Sequence, residues 1–209
     1  MMSAMDARAA SAKAPDQVRR VSPLSLPNLL TYGRIAAVPL VAVCLYLDPL
    51  WLRWVALFVF ISAGVSDFFD GYLARRWAQQ SALGRMLDPI ADKLLVGGTL
   101  LMLAAKGDIA GLSLWAALVI LSREILVSGL REFLAELRVS VPVTRLAKWK
   151  TVAQLVAVGF LVAGPAGDQI LPITTDTGLA LLWASALLTL YTGYDYFRAG
   201  LKHVIEESP

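Results

Sequence analysis

With 209 residues, 57% of them hydrophobic, and a mean hydropathy of +0.63, the chain carries more apolar sequence than a soluble core of this length needs, which excludes an ordinary soluble domain. The net charge of +3 does not point to nucleic acid: the basic residues stand at the edges of apolar runs, with no soluble domain to present them, and anionic lipid headgroups account for them. A single cysteine excludes a disulfide framework.

In chain order, residues 1–22 are polar, Ala/Ser-rich and charged, without the apolar run behind a short basic head that a signal peptide requires. They read as a flexible cytosolic tail ahead of one membrane domain over 23–209. Windows of about twenty residues predict six spans, at 29–47, 51–72, 86–105, 114–134, 149–166 and 178–197. The ten-residue alternation of a membrane barrel is missing, so the fold class expected is an all-α integral membrane protein with six transmembrane helices in one bundle. An even number of spans puts both termini on one side. That side collects Arg8, Lys13, Arg19, Arg20, Arg75, Arg76, Arg138, Arg145, Arg198 and Lys202; the other has mainly Arg53 and Lys106, with Asp168 and Asp176 in its last loop. The positive-inside rule then makes both termini cytoplasmic. Trp51, Trp54, Trp115, Trp149 and Trp183 sit near span ends, as an aromatic belt requires, and Cys44 reads as packing filler within a span. His203 stands alone near the C-terminal end and receives no role.

The chemistry is concentrated between residues 67 and 92, DFFDGYLARRWAQQSALGRMLDPIAD. Asp67 and Asp70 are three residues apart, Asp88 and Asp92 four, so each pair projects from one face of its own helix. Gly71 and Ala74 lie near the first pair and Gly84 one turn before Asp88, where small side chains allow close approach of a ligand or helix. The polar stretch 76–83 is long enough for a cytosolic hairpin and little else. Two antiparallel helices joined this way bring four carboxylates together near the cytosolic surface. Such groups ionise together only if cations neutralise them, and two divalent ions balance the formal charge. All-oxygen ligands favour Mg2+ or Mn2+, and a paired hard-metal site points first to phosphate chemistry.

The full pattern, Asp-x-x-Asp-Gly-x-x-Ala-Arg, eight residues, then Gly-x-x-x-Asp-x-x-x-Asp, is met without departure by Asp67, Asp70, Gly71, Ala74, Arg75, Gly84, Asp88 and Asp92. It resembles the signature of the CDP-alcohol phosphotransferases. The resemblance implies attack of an alcohol on the β-phosphorus of CDP-diacylglycerol with CMP leaving. It implies Asp67, Asp70 and Asp88 on one metal ion, Asp67, Asp88 and Asp92 on a second, and Asp92 as the base that takes the alcohol proton. It also implies a nucleotide pocket in which Gly71, Ala74 and Gly84 permit close approach, Arg75 meets a phosphate and Ser81 offers a hydroxyl. On the first span Asn28 and Thr31 lie one turn apart, in position to touch the pyrophosphate or base, and Arg34 follows one turn further, toward the acceptor phosphate. Asn28 also has the character of an N-cap. Pro89 removes a backbone donor and frees the Arg85 carbonyl, so a kink that turns the acids is expected no more than a plain packing kink.

For the acceptor, Arg123 and Arg131 within SREILVSGLREF, and Lys148 and Lys150 within KWKT, are membrane or edge cations without a matching surplus of acids, which asks for an anion. Snorkelling, or an ion pair with Glu124 or Glu132, is the competing account. Both segments resemble the bacterial branch of that family whose acceptor is sn-glycerol 3-phosphate, which implies phosphatidylglycerophosphate as product, the bacterial cell (inner) membrane as location and a homodimer. Three rivals are set beside it. A sister enzyme would use inositol phosphate, serine or phosphatidylglycerol. An intramembrane prenyltransferase would carry its Asp-rich motifs on helices far apart in sequence. A divalent-cation transporter would carry midplane acids on broken, repeated helices and leave Lys148 and Lys150 unexplained.

Overall fold

The computed structural model describes residues 26–47, 49–77, 82–137 and 145–206, with backbone alone at 27, 67–77, 82, 85, 145–148, 195 and 199–206. The predicted tail and Ser81 lie outside the described residues. Six helices and no strand are found among those described: α1 Leu26–Tyr46, α2 Trp51–Trp77, α3 Ala82–Ala105, α4 Ser113–Glu136, α5 Arg145–Asp168 and α6 Thr174–Glu206.

Several of the helices outrun the apolar windows. α2 continues to Trp77, α3 begins at Ala82 and α6 starts at Thr174 and continues to Glu206. The added residues include Ala, Arg, Leu, Lys and Glu, which are strong helix formers whatever their hydropathy, and an apolar window does not register propensity. The predicted polar hairpin at 76–83 is correspondingly narrower, since its first two and last two residues are helical. α1 opens at Leu26 and Pro27, where a proline costs no helical hydrogen bond, so Asn28 stands inside the first turn and not at the cap. Helix α3 runs through Pro89, with the Lys93 Nζ donating to the Pro89 carbonyl at 2.9 Å.

α1 packs on α2 and α3; α5 lies against α6 and also touches α2 and α3; α4 closes on α6. The centre of the bundle is α5: half of its apolar window is buried, against 22% for α4. Val41 and Leu45 of α1, Phe60 of α2, Leu95 and Leu100 of α3 and Leu161 of α5 meet in the core. Outward, α4 exposes Trp115, Leu118, Ile125 and Leu126, an apolar face that water would penalise at about 25 cal/mol per Å2 and a lipid would not. α1 over Asn28–Tyr46, α4 over Ser113–Glu136 and α5 over Trp149–Asp168 are long and apolar enough to cross a membrane. All five belt tryptophans are at the surface, and Cys44 is buried.

The bundle closes at its far end, where Tyr46, Arg53, Lys106 and Asp108 lie, with a polar cluster of its own. Arg53 donates to Asp108 at 2.6 Å, and both side chains are more than nine-tenths buried. Helix α5 breaks at Gly164 (φ 38°, ψ −125°) before Pro165, and the Arg53 guanidinium reaches the Leu161 and Val162 carbonyls there, each at 3.5 Å. A Cβ at position 164 would lie 2.6 Å from Arg53 Nη1, so the left-handed backbone and the close guanidinium both require glycine. Arg53 therefore acts as a buried tie between helices; the sequence had suggested only an outer-surface charge.

Candidate active site

Asn28, Thr31 and Arg34 recur at three-residue intervals along α1 and are each only 1% exposed. One face of α1 thus carries polar groups into the bundle, against α2 and α3. The Thr31 hydroxyl donates to Asp88 Oδ1 at 2.5 Å. That contact ties the middle member of the α1 series to the first acid of α3. Helix continuity from Ala82 to Ala105 then fixes Asp92 one turn along from Asp88, and the α2 backbone is helical through Asp67, Asp70, Gly71, Ala74 and Arg75. Gly84 is buried in the first turn of α3.

Asp92 lines a cavity of about 340 Å3 where α3, α4 and α5 meet; Lys93, Glu124 and Gln154 contribute its other polar side chains and Gly97 and Gly98 its small ones. Glu124 is the hub of the α4 side. It is ion-paired to the buried Lys150 of α5 and to Arg123 Nη1 at 3.3 Å. Arg123 is further held by α6: its Nε donates to the Thr189 carbonyl at 3.1 Å and its Nη2 to Thr192 Oγ1 at 3.2 Å. Gly193 makes this possible, because a Cβ there would stand 3.0 Å from Arg123 Cγ. Asp92 shares its cavity with Glu124, the partner of Lys150, so the acid pair and the basic cluster border one site.

Of the sequence-predicted residues, the structure brings together Thr31 with Asp88, and Asp92 with Lys150 and Arg123 through Glu124, which lines the Asp92 cavity and pairs with both cations. Arg131 does not line the cavity; it is exposed on α4, its guanidinium 5.8 Å above the Tyr196 ring. Lys148 is placed by its backbone in the first turn of α5. Arg123 and Lys150 share the one carboxylate of Glu124. Sequence reasoning missed Gln154, Thr189 and Thr192. Gln154 carried a usable signal: it is a lone amide in an apolar run, one turn beyond Lys150.

Residues 24–191 match the family model described as CDP-alcohol phosphatidyltransferase. The chain belongs to that family. Among its relatives, a Rickettsia bellii protein called CDP-diacylglycerol--glycerol-3-phosphate 3-phosphatidyltransferase is 47% identical over 86% of this chain and 97% of its own length. Proteins of the same description from Cereibacter sphaeroides (41% identical, 88% of this chain, 98% of its own) and, with the number 2 appended, from Arabidopsis thaliana (37%, 84% and 79%) are also similar. Membership of that family sets aside the prenyltransferase and cation-transporter readings.

Proposed function

We propose that this phosphatidyltransferase moves a phosphatidyl group from CDP-diacylglycerol to sn-glycerol 3-phosphate, giving phosphatidylglycerophosphate and CMP. The observation that carries the assignment is the meeting of two polar sets. Asp88, fixed by Thr31, stands one turn from Asp92 on a cavity also lined by Glu124, the carboxylate that holds Lys150 and Arg123. The names of the relatives, which match over nearly their full length, support the same donor and acceptor.

In this mechanism the acceptor hydroxyl, held beside Asp92, attacks the β-phosphorus in line. The new P–O bond forms as the P–O bond to CMP breaks, and the hydroxyl proton passes to an Asp92 carboxylate oxygen. Lys148, Lys150, Arg123 and Arg34 serve the acceptor phosphate, with Arg131 at the outer edge of that group. Asn28, Gly71, Ala74, Arg75, Ser81 and Gly84 serve the CDP moiety. The carboxylate donor set of Asp67, Asp70, Asp88 and Asp92, with one Asp88 oxygen oriented by Thr31, fits two Mg2+ or Mn2+ ions. When bound, such ions neutralise the pyrophosphate and its leaving oxygen. The proposal includes six membrane crossings, both termini and the acid pairs on the cytoplasmic side of the bacterial cell membrane, residues 1–22 as a tail, and a homodimer.

The test is CMP release by purified protein in lipid nanodiscs, with CDP-diacylglycerol and a panel of alcohols, with Mg2+ and with EDTA. Turnover is expected with glycerol 3-phosphate and Mg2+ and lost with EDTA. Turnover with inositol phosphate, serine or phosphatidylglycerol in its place would transfer the assignment to a sister enzyme.

A further inference from the structure

Gln154 is 4% exposed, and its Oε1 is buried without a hydrogen-bond donor. It lines the same cavity as Asp92 and Glu124. On α5 it follows Lys150 by four residues, so the amide and the ammonium lie on one helical face, one turn apart. A buried carbonyl oxygen left without a donor is costly, and a native chain retains one where a ligand completes it.

The acceptor chemistry named above supplies such a donor, and the inference rests on that assignment. Glycerol 3-phosphate carries three recognisable groups. Its phosphate calls for the Lys150 and Arg123 cations, its primary hydroxyl must lie beside Asp92, and its 2-hydroxyl takes no part in the reaction. The 2-hydroxyl has one proton to donate and no partner in the mechanism. Among the described residues lining the cavity, Gln154 offers a neutral, unoccupied acceptor; Asp92 is committed to the reacting hydroxyl and Glu124 to two cations. We infer that Gln154 is a specificity-determining residue that accepts the hydrogen bond of the acceptor's non-reacting 2-hydroxyl. It thereby selects a phosphorylated polyol over a phosphorylated simple alcohol and holds the glycerol backbone with its primary hydroxyl toward Asp92. A site built to bond a substrate hydroxyl penalises the analogue that lacks it, because its own polar group then stays unpaired.

The experiment compares two acceptors, sn-glycerol 3-phosphate and 3-hydroxypropyl phosphate, which keeps the phosphate and the primary hydroxyl but lacks the 2-hydroxyl. The proteins are the wild type and Gln154→Met, full length in nanodiscs with CDP-diacylglycerol and Mg2+. Methionine has nearly the same length and no acceptor, and it removes the unsatisfied atom, so its thermal midpoint is expected to equal or exceed the wild type's. Wild-type kcat/KM is expected to favour glycerol 3-phosphate by about thirtyfold, and Gln154→Met to erase that preference by lowering glycerol 3-phosphate alone, leaving the deoxy analogue within about twofold. A parallel fall for both acceptors, or no change for either, overturns the inference while leaving the functional assignment standing. A wild type that releases no CMP with glycerol 3-phosphate overturns both.

Discussion

At the far end of the bundle Arg53 and Asp108 meet at 2.6 Å, and the same guanidinium covers the carbonyls exposed by the break at Gly164. At the near end Asp88 takes one hydroxyl from Thr31, Glu124 serves two cations, and the Gln154 oxygen takes nothing. Both clusters bury charge among apolar helices, which is costly unless the charges are compensated. The far cluster finds its compensation within the chain, and its parts fit so closely that even a methyl at position 164 would collide. The near cluster has a cavity and a polar oxygen awaiting a donor, and four aspartates close in sequence. A buried charge whose partners are all intramolecular holds the fold, whereas an incomplete set awaits a substrate. Substitutions at the two ends should therefore separate stability from turnover.

The largest effect is expected at the near end. Asp92→Asn keeps the shape of the side chain and removes the carboxylate proposed as the base, so turnover should fall about a thousandfold or more while binding of CDP-diacylglycerol changes less than about tenfold. Equilibrium binding of CDP-diacylglycerol beside single-turnover CMP release checks both halves; activity retained within tenfold would remove Asp92 from the base position. At the far end the pattern should invert. Arg53→Met strands the buried Asp108 carboxylate, which is expected to cost about 3 kcal/mol, or roughly 6–12 °C in Tm. The kcat of the protein that remains folded should be unchanged. Thermal unfolding followed by activity of the soluble fraction measures the two separately, and a loss of kcat without loss of Tm would erase the distinction between the clusters.

How far the sequence revealed these two ends differs for a physical reason. The spacing of Asp67, Asp70, Asp88 and Asp92 is short-range information, since helical periodicity alone places i and i+3 or i+4 on one face, and Asp88 and Asp92 lie on one continuous helix as expected. The six helices followed from hydropathy, but their ends did not, because residues such as Arg75, Arg76 and Lys202 extend a helix that an apolar window closes. Pairings between distant residues were out of reach. Thr31 with Asp88 and Lys150 with Glu124 join different helices, Arg53 with Asp108 joins a helix to a turn, and only the packing of α1 on α3, α4 near α5 and α2 near the α3–α4 turn selects them. From the sequence Glu124 is only a competitor for the basic residues; in the structure it is the group that gathers Lys150 and Arg123.

A smaller effect is expected where the near cluster is proposed to hold the acceptor. Lys150→Met removes one of the two cations on Glu124, and the remaining Arg123 then leaves that carboxylate neutralised with no positive excess. The KM for glycerol 3-phosphate should rise about thirtyfold with kcat nearly constant, since a phosphate contact made equally in ground and transition states affects binding alone. Initial rates across acceptor concentration decide it, and an unchanged KM would place the acceptor phosphate elsewhere.

The smallest effect tests whether Thr31 acts on the acid or on the nucleotide. Its hydroxyl is already engaged with Asp88 Oδ1, which gives it a positioning role: it fixes the carboxylate one turn from Asp92. Thr31→Val deletes the hydroxyl while keeping the branched shape, and a lost hydrogen bond to a charged acceptor corresponds to about a tenfold fall in kcat. Thr31→Ser should restore most of it, because the oxygen returns. The KM for CDP-diacylglycerol discriminates between the two roles. If Thr31 orients Asp88, kcat falls and that KM stays within about twofold; if Thr31 contacts the pyrophosphate or base, the KM rises with kcat preserved. The burial of Thr31 between α1 and α3 favours the first outcome, for a side chain 1% exposed and already donating its only proton has none left to offer a second acceptor.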